Sequence, residues 1–202
     1  MARHLIISDT HFFQPVLHEK IAVRKNFTAT SNLLDEYMRD EWNKMVKDDD
    51  IVIHIGDVAF HQKDKCREMI KSLKGKKILV RGNHDRGVDS MIDMGFYAVF
   101  EQLVVSFKGM NILFVHRPWY EPLPKGIYGV CHGHVHTGEK ECLIAAGEEP
   151  EIPDFNVNLC VEKTNFKPIL INEAIGRLHT QLKKVGWWPW YGGPNPLVKP
   201  VF

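Results

Sequence analysis

The stretch Ile51–Asp85, IVIHIGDVAFHQKDKCREMIKSLKGKKILVRGNHD, holds the order of elements from which the fold can be read. Ile51, Val52, Ile53 and Ile55 form an apolar, β-branched run that stops at Gly56-Asp57, and Ile78, Leu79 and Val80 form a second that stops at Gly82-Asn83-His84-Asp85. Gly, Asn and Asp are turn formers rather than strand residues. Between the runs Cys66, Met69, Ile70 and Leu73 recur at helical spacing, with Asp64 placed to cap the start and Gly75 to close the end. Strand, helix, strand in this order predicts a β-α-β unit with parallel strands. Its two carboxyl ends then lie on one side of a sheet, which brings Asp57 toward Asn83 and His84 at the edge where open α/β sheets bind ligands.

The same pattern recurs outward from that unit. HLIIS (residues 4–8) runs into Asp9 and His11, MNILFV (110–115) into His116, and IYGVCHG (127–133) into His134 and His136. Continuous apolar runs of this length suggest strands covered on both faces, as in a layered α/β protein. Leu34, Met38, Trp42 and Met45 share one face of a predicted helix capped by Ser31 or Asn32. Residues 172–185 read as a last helix with Ala174, Leu178 and Leu182 on one side. FYAVFEQLVVSF (96–107) is expected to form a hairpin-like strand pair, and DFNVNLCVE (154–162) one further strand.

A chain of 202 residues, 44% of them hydrophobic, suffices for one well-buried core, so residues 1–202 are expected to form a single domain with an aromatic, Pro-rich tail at 186–202. A net charge of +1 lacks the basic footprint of a duplex-binding protein, so no extended nucleic-acid surface is expected, while small anions remain open. Leu5, Ile6 and Ile7 are too short a run for a signal-peptide core or a membrane span, and a cytoplasmic protein is expected. Cys66, Cys131, Cys142 and Cys160 show no CxxC pairing and read as buried, reduced thiols. The polar segment 137–154 reads as a surface loop at the site edge. Trp187, Trp188, Trp190 and Tyr191 are expected to fold back on the domain, or else to join two copies in a homo-oligomer.

Asp9-x-His11 and His134-x-His136 place ligand-type residues at i and i+2, on one face of extended backbone. Asp57 adds a carboxylate, and Asn83 and His116 add neutral donors. Seven oxygen and nitrogen ligands exceed what one tetrahedral zinc needs but suit two ions that share a bridging carboxylate. No cysteine stands among them, which disfavours thiolate-type zinc or iron–sulfur binding. Gly56, Gly82 and Gly133 each precede a candidate ligand and allow the chain to turn close to a metal.

The ordered set DTH, GDVAF, GNHD, VHRP and GHVH, from Asp9 to His136, resembles the calcineurin-like metallophosphoesterase family. The resemblance implies an α/β fold of two packed mixed β-sheets flanked by helices. It implies Asp9, His11 and His136 on one divalent ion, Asn83, His116 and His134 on another, and Asp57 bridging them. It also implies that His84 helps to bind phosphate and protonates the leaving group, with Asp85 orienting it. The implied reaction is hydrolysis of phosphate mono- or diesters by in-line attack of a metal-bound hydroxide, with a small phosphodiester or nucleotide-type substrate favoured. Manganese is the expected metal, with Fe, Zn, Co or Ni as alternatives.

Arg117 is a candidate phosphate contact, as are Asn83 and His84, while Arg86 and His61 are left outside the site. His54 and His132 read as core or supporting hydrogen-bond groups, and Trp119 and Tyr120 as core packing more than as a wall against a nucleobase. The competing reading is a catalytically weak scaffold of the same fold that binds a protein partner. Intact ligand types count against it. A nuclease gains nothing from the charge balance.

Overall fold

The computed structural model describes residues 2–25, 31–59, 63–136 and 151–186. The His61 expectation, the aromatic tail, Cys142 and most of the 137–154 loop lie outside these residues. In chain order the elements are β1 (His4–Ile7), α1 (Pro15–Lys20), α2 (Ala22–Lys25), α3 (Ser31–Met45), β2 (Ile51–His54), α4 (Lys63–Ser72), β3 (Lys76–Val80) and α5 (Val88–Met94). There follow β4 (Ala98–Phe100), β5 (Gln102–Phe107), β6 (Met110–Val115), β7 (Ile127–His132), β8 (Asn156–Asn158), a 3-10 turn (Val161–Lys163), β9 (Ile169–Leu170) and α6 (Ile171–Lys184).

Two mixed sheets result. One has the order β4-β3-β2-β1-β9, with β1, β2, β3 and β4 parallel and β9 antiparallel to β1. The other has the order β5-β6-β7-β8, antiparallel between β5 and β6 and parallel thereafter. The α/β architecture of two mixed sheets with flanking helices is therefore as expected. The β-α-β unit is present, with Ile53 paired to Ile78 across parallel strands.

Alternation along the strands divides the core. Leu5, Ile7, Val52 and Leu79 pack under α3, α4 and α5, where they meet Leu34, Met38, Trp42, Ile70 and Met91. Ile6, Ile53, Ile55 and Val80 join Ile112, Phe114, Val130 and the Ala174, Leu178 and Leu182 face of α6. A Cβ at Gly129 would strike Leu178, so β7 and α6 approach as closely as they do because that residue has no side chain. Trp42 closes the lower end of α3 with its Nε1–H donated to Lys74 O at 3.0 Å.

Residues 96–107 depart from the expected hairpin. β4 pairs in parallel with β3 at the edge of the first sheet, whereas β5 pairs antiparallel with β6 in the second. The chain changes sheets at Glu101, which is held to Arg81 by an ion pair of 2.6 Å. Two strands one residue apart could not make the tight turn of a hairpin, and each finds its partner elsewhere. The short helix α5 was also unforeseen. Gly95 ends it in the left-handed region at φ 115°, its N–H donated back to Met91 O and Ile92 O.

A buried acid near the site gives a first prediction. Asp35 on α3 accepts the Phe13 N–H at 3.1 Å through Oδ2, while Oδ1 has no partner. Burial pushes its carboxyl up to about 7. In the unfolded chain it ionises near 3.9, so between about pH 4 and 7 the folded state keeps a proton that the unfolded state loses. Stability therefore falls as pH rises through that window. Asp35→Asn removes the slope and is expected to melt above the wild type at pH 8, by up to about 4 kcal/mol of stability, with the gap closing at pH 4. Parallel melting-temperature profiles for the two proteins would rule Asp35 out as the source.

Candidate metal centre

Every strand that ends in a predicted ligand ends at one edge of the molecule. Asp9 and His11 follow β1, Asp57 follows β2 and Asn83 follows β3, all in the first sheet. His116 follows β6, and His134 and His136 follow β7, in the second. The turns are sharp. Asp9, His11, Asp57 and His134 lie in the left-handed region at φ 57°, 47°, 56° and 66°. Such backbone costs about 1–3 kcal/mol per residue and persists where the surroundings over-determine it. Here they do: Asp9 N–H donates to Gly56 O and His11 N–H to Asp57 O, each at 3.0 Å, stitching the first turn to the second.

The glycines before the ligands serve mainly as space. Gly56 is left-handed at φ 82°, and a Cβ there would lie 2.5 Å from His116 Nδ1. Gly82 and Gly133 are not left-handed, so the bend expected of them is not the reason for their presence. A Cβ on Gly82 would overlap the Asp57 carboxylate, and one on Gly133 would overlap Asp9 Oδ2 and Ser8 Oγ. Gly133→Ala is expected to keep the fold but weaken divalent-metal binding at Asp9 by about tenfold or more, because the carboxylate must move. Unchanged metal uptake by equilibrium dialysis would show that the carboxylate yields without leaving its place.

The side chains fall into two groups whose donor atoms lie within 4.8 Å of one another, Asp9 with His11 and His136, and Asp57 with His116 and His134. His11 Nε2 faces His136 Nε2 at 3.2 Å and lies 3.7 Å from Asp9 Oδ1. His116 Nε2 lies 3.2 Å from Asp57 Oδ2 and 3.1 Å from Asn83 Oδ1. Asp57 Oδ2 also approaches His11 Nε2, at 3.6 Å, and so borders both groups. Donor atoms about 2.1 Å from a cation stand roughly 3.0 to 3.5 Å from one another in octahedral or tetrahedral arrangements. The spacings of 3.1 and 3.2 Å fit that geometry and those of 3.6 and 3.7 Å lie just beyond it, and the two facing imidazole nitrogens suit a shared electrophile better than each other.

Charge points the same way. Burial would raise the Asp9 carboxyl, yet His11, His116 and His136 hold it far below the usual carboxylate range. Asp57 is likewise buried and likewise lowered, chiefly by His116. Burial opposes protonation of His116, but its hydrogen bond to the Asp57 carboxylate and the negative charge of Asp9 and Asp57 override it and carry the ring up to about 9. His134 goes the other way, to about 4, through burial and the positive charge of His116 and Arg117. The two carboxylates thus stay ionised although buried.

His84 and Asn83 are exposed at the rim. The His84 ring meets His11 edge-on at 5.9 Å between centroids, and the His84 backbone N–H donates to Asp57 Oδ1 at 2.9 Å. Asp85, expected to orient His84, also braces the backbone of two turns. Its carboxylate accepts backbone N–H bonds from Asp57 and Gly82 on Oδ2, at 2.9 and 2.8 Å, and from Val58 on Oδ1 at 2.9 Å. It therefore ties the turn after β3 to the turn after β2 and sets the backbone of both. His54 and His132 are core groups, lowered by burial to about 3 and about 4 respectively. Arg117 is exposed next to His116 and lines, with Arg81, Glu101 and Trp119, a cavity of about 380 Å³ that opens on Asn83 and His116. Asn156 fixes the wall of that cavity by accepting Trp119 N–H at 2.8 Å and donating to Trp119 O at 2.9 Å.

Sequence reasoning missed three buried neighbours of the cluster: Cys160, whose Sγ lies 3.3 Å from Asp9 Oδ2, Glu162 and Arg24. Cys160 is a free thiol raised well above the ordinary value by burial. None of the three stands in a motif, so no local signal marks them.

The chain is similar to known proteins over most of its length. The family model for calcineurin-like phosphoesterases matches residues 2–191. The uncharacterized protein MJ1445 of Methanocaldococcus jannaschii is 28% identical over 181 residues, covering 85% of this chain and 89% of that one. The crystal structure of AQ665, a protein of unknown function from Aquifex aeolicus, superposes with a TM-score of 0.67 at 25% identity, covering 87% of this chain and 99% of that one.

Proposed function

The chain belongs to the calcineurin-like phosphoesterase family, and from that premise we propose that it hydrolyses small phosphate mono- or diesters with two divalent ions, phosphodiesters or nucleotide-type esters being favoured. The observation that carries the proposal is the position of Asp57 Oδ2, 3.6 Å from a histidine of one ligand group and 3.2 Å from a histidine of the other. Asp9, His11 and His136 would hold one ion, Asn83, His116 and His134 the other, with Asp57 between them. Such a pair of ions, when bound, activates a water and neutralises charge on phosphate oxygens.

The chain's own groups do the rest. His84 is exposed beside the cluster, with its backbone pinned to Asp57, which supports it as the proton donor to the departing oxygen. Arg117 at the rim pairs with a phosphate oxygen. The cavity beside Asn83 and His116 receives the leaving group, with Trp119 as a fixed apolar wall. An exposed rim and an open cavity suit small esters. The described Cys131 and Cys160 are free and buried, which supports a reducing compartment such as the cytoplasm. Among the described residues no helix is long and apolar enough to cross a membrane.

The test is hydrolysis of bis-p-nitrophenyl phosphate beside p-nitrophenyl phosphate by chelator-stripped protein, with and without added manganese. A manganese-dependent rate, higher on the diester, is expected. No turnover of either substrate by protein carrying two bound ions would overturn the proposal in favour of a partner-binding scaffold.

A further inference from the structure

Behind the Asp9, His11 and His136 group lies an ion pair that contributes no ligand to it. Arg24 on α2 and Glu162 in the 3-10 turn are 138 residues apart, and the side chains of both are fully buried. Arg24 Nε donates to Glu162 Oε1 at 2.6 Å. The same guanidinium donates through Nη2 to Asp9 O at 2.7 Å and through Nη1 to Thr10 O at 3.3 Å. The same Glu162 oxygen lies 3.0 Å from His136 Nδ1. Glu162 Oε2 has no partner, so both neighbours of the carboxylate are gathered on one oxygen.

A buried pair of this kind is weak evidence for stability, since desolvation offsets most of the attraction, and its contacts are therefore the better guide to its role. Each contact ends on the ligand group. Asp9 O and Thr10 O belong to the turn in which Asp9 and His11 are left-handed, at φ 57° and 47°. A planar fork that reaches two successive carbonyls holds that turn in a way a lysine ammonium does not. On the other side, acceptance of the Nδ1 proton by Glu162 leaves Nε2 of His136 to face His11 Nε2 at 3.2 Å.

We propose that Arg24 and Glu162 are positioning residues for this ligand group: Arg24 holds the Asp9–His11 turn in its left-handed form, and Glu162 fixes the ring of His136 with Nε2 toward the ion. The inference rests on the two-ion reading above. It adds that one of the two ion sites has a ligand held directly by the buried pair, whereas among the described residues no ligand of the other hydrogen-bonds to Arg24 or Glu162. Asp57, His116 and Asn83 take their support from Asp85, Ile55 and the turns after β2 and β3, while His134 N–H donates to the Asp9 carboxylate at 3.0 and 3.1 Å.

The experiment is manganese uptake by chelator-stripped full-length protein, measured by equilibrium dialysis, for the wild type, Glu162→Ala, Glu162→Gln and Arg24→Lys. In Glu162→Ala, one equivalent is expected to bind about 10- to 100-fold more weakly while the other keeps its wild-type affinity. Glu162→Gln, whose amide oxygen can still accept from His136, recovers most of that loss. Arg24→Lys keeps the charge but loses the fork, and weakens the same equivalent. Wild-type affinity for both equivalents in Glu162→Ala, or equal weakening of both, overturns the inference. In case the variants do not fold, the zinc-loaded wild type provides a second measurement. Nitrogen NMR of the His136 ring is expected to show the proton on Nδ1, and a proton on Nε2 overturns the inference alone. A wild type that takes up no divalent ion overturns the two-ion reading itself, and this inference with it.

Discussion

Asp57→Asn is expected to lower kcat/KM for the nitrophenyl ester by about 10³-fold, corresponding to the several kcal/mol that a two-metal clamp contributes at about 1.36 kcal/mol per decade. The substitution is nearly isosteric. The amide oxygen can still accept the His84 N–H now bonded to Oδ1 at 2.9 Å. What changes is the other atom, Oδ2, which borders both ligand groups and becomes an N–H donor facing His11 and His116. With the two proposed ions bound, one negative charge would be lost between them, and the shared ligand with it. Metal analysis should find about one ion per chain instead of two, with the melting profile of the metal-free protein little changed. Activity within tenfold of the wild type would remove Asp57 from the bridge.

His84→Ala is the second large effect, an expected drop of about 10²-fold or more in kcat with metal content unchanged. The ring is exposed at the rim and belongs to neither ligand group. Its loss should therefore leave ion uptake intact. If it protonates the leaving oxygen, the penalty depends on how much that oxygen needs the proton. p-Nitrophenolate leaves readily without one, whereas an alkoxide does not, so the variant should lose far more on a methyl or glyceryl phosphodiester than on the nitrophenyl ester. Equal losses on both would assign the ring to phosphate binding rather than to proton transfer.

The elements legible in the sequence were those whose cause is local. A β-branched run that meets Gly-Asp or Gly-Asn-His-Asp announces a strand end, and β1, β2, β3, β6 and β7 all end where such runs stop. The faces of α3, α4 and α6 followed from helical spacing, and the apolar positions read on them are buried except for the half-buried Met45. What could not be read depends on which partner a segment finds. Residues 98–100 and 102–107 have the pattern of adjacent strands, and nothing in them tells that they enter different sheets. Asp85 lies in the motif, but its three backbone partners come from two turns and were not visible from its neighbours in sequence. Arg24 and Glu162 look like surface charges on short helical segments. Only a contact across 138 residues reveals them as buried.

The origin of the ligands bears on how the protein assembles. Each group draws on both sheets: Asp9 and His11 at the end of β1 meet His136 beyond β7, and Asp57 at the end of β2 meets His116 and His134 beyond β6 and β7. Neither sheet alone holds three donors of one group. Ion capture must therefore follow docking of the two halves, and a bound ion acts as a clasp that opens only when they part. In a refolding experiment with a fluorescent metal indicator, uptake should lag behind the recovery of secondary structure and coincide with the last cooperative step. Excess metal should slow unfolding of the whole chain and leave early folding untouched.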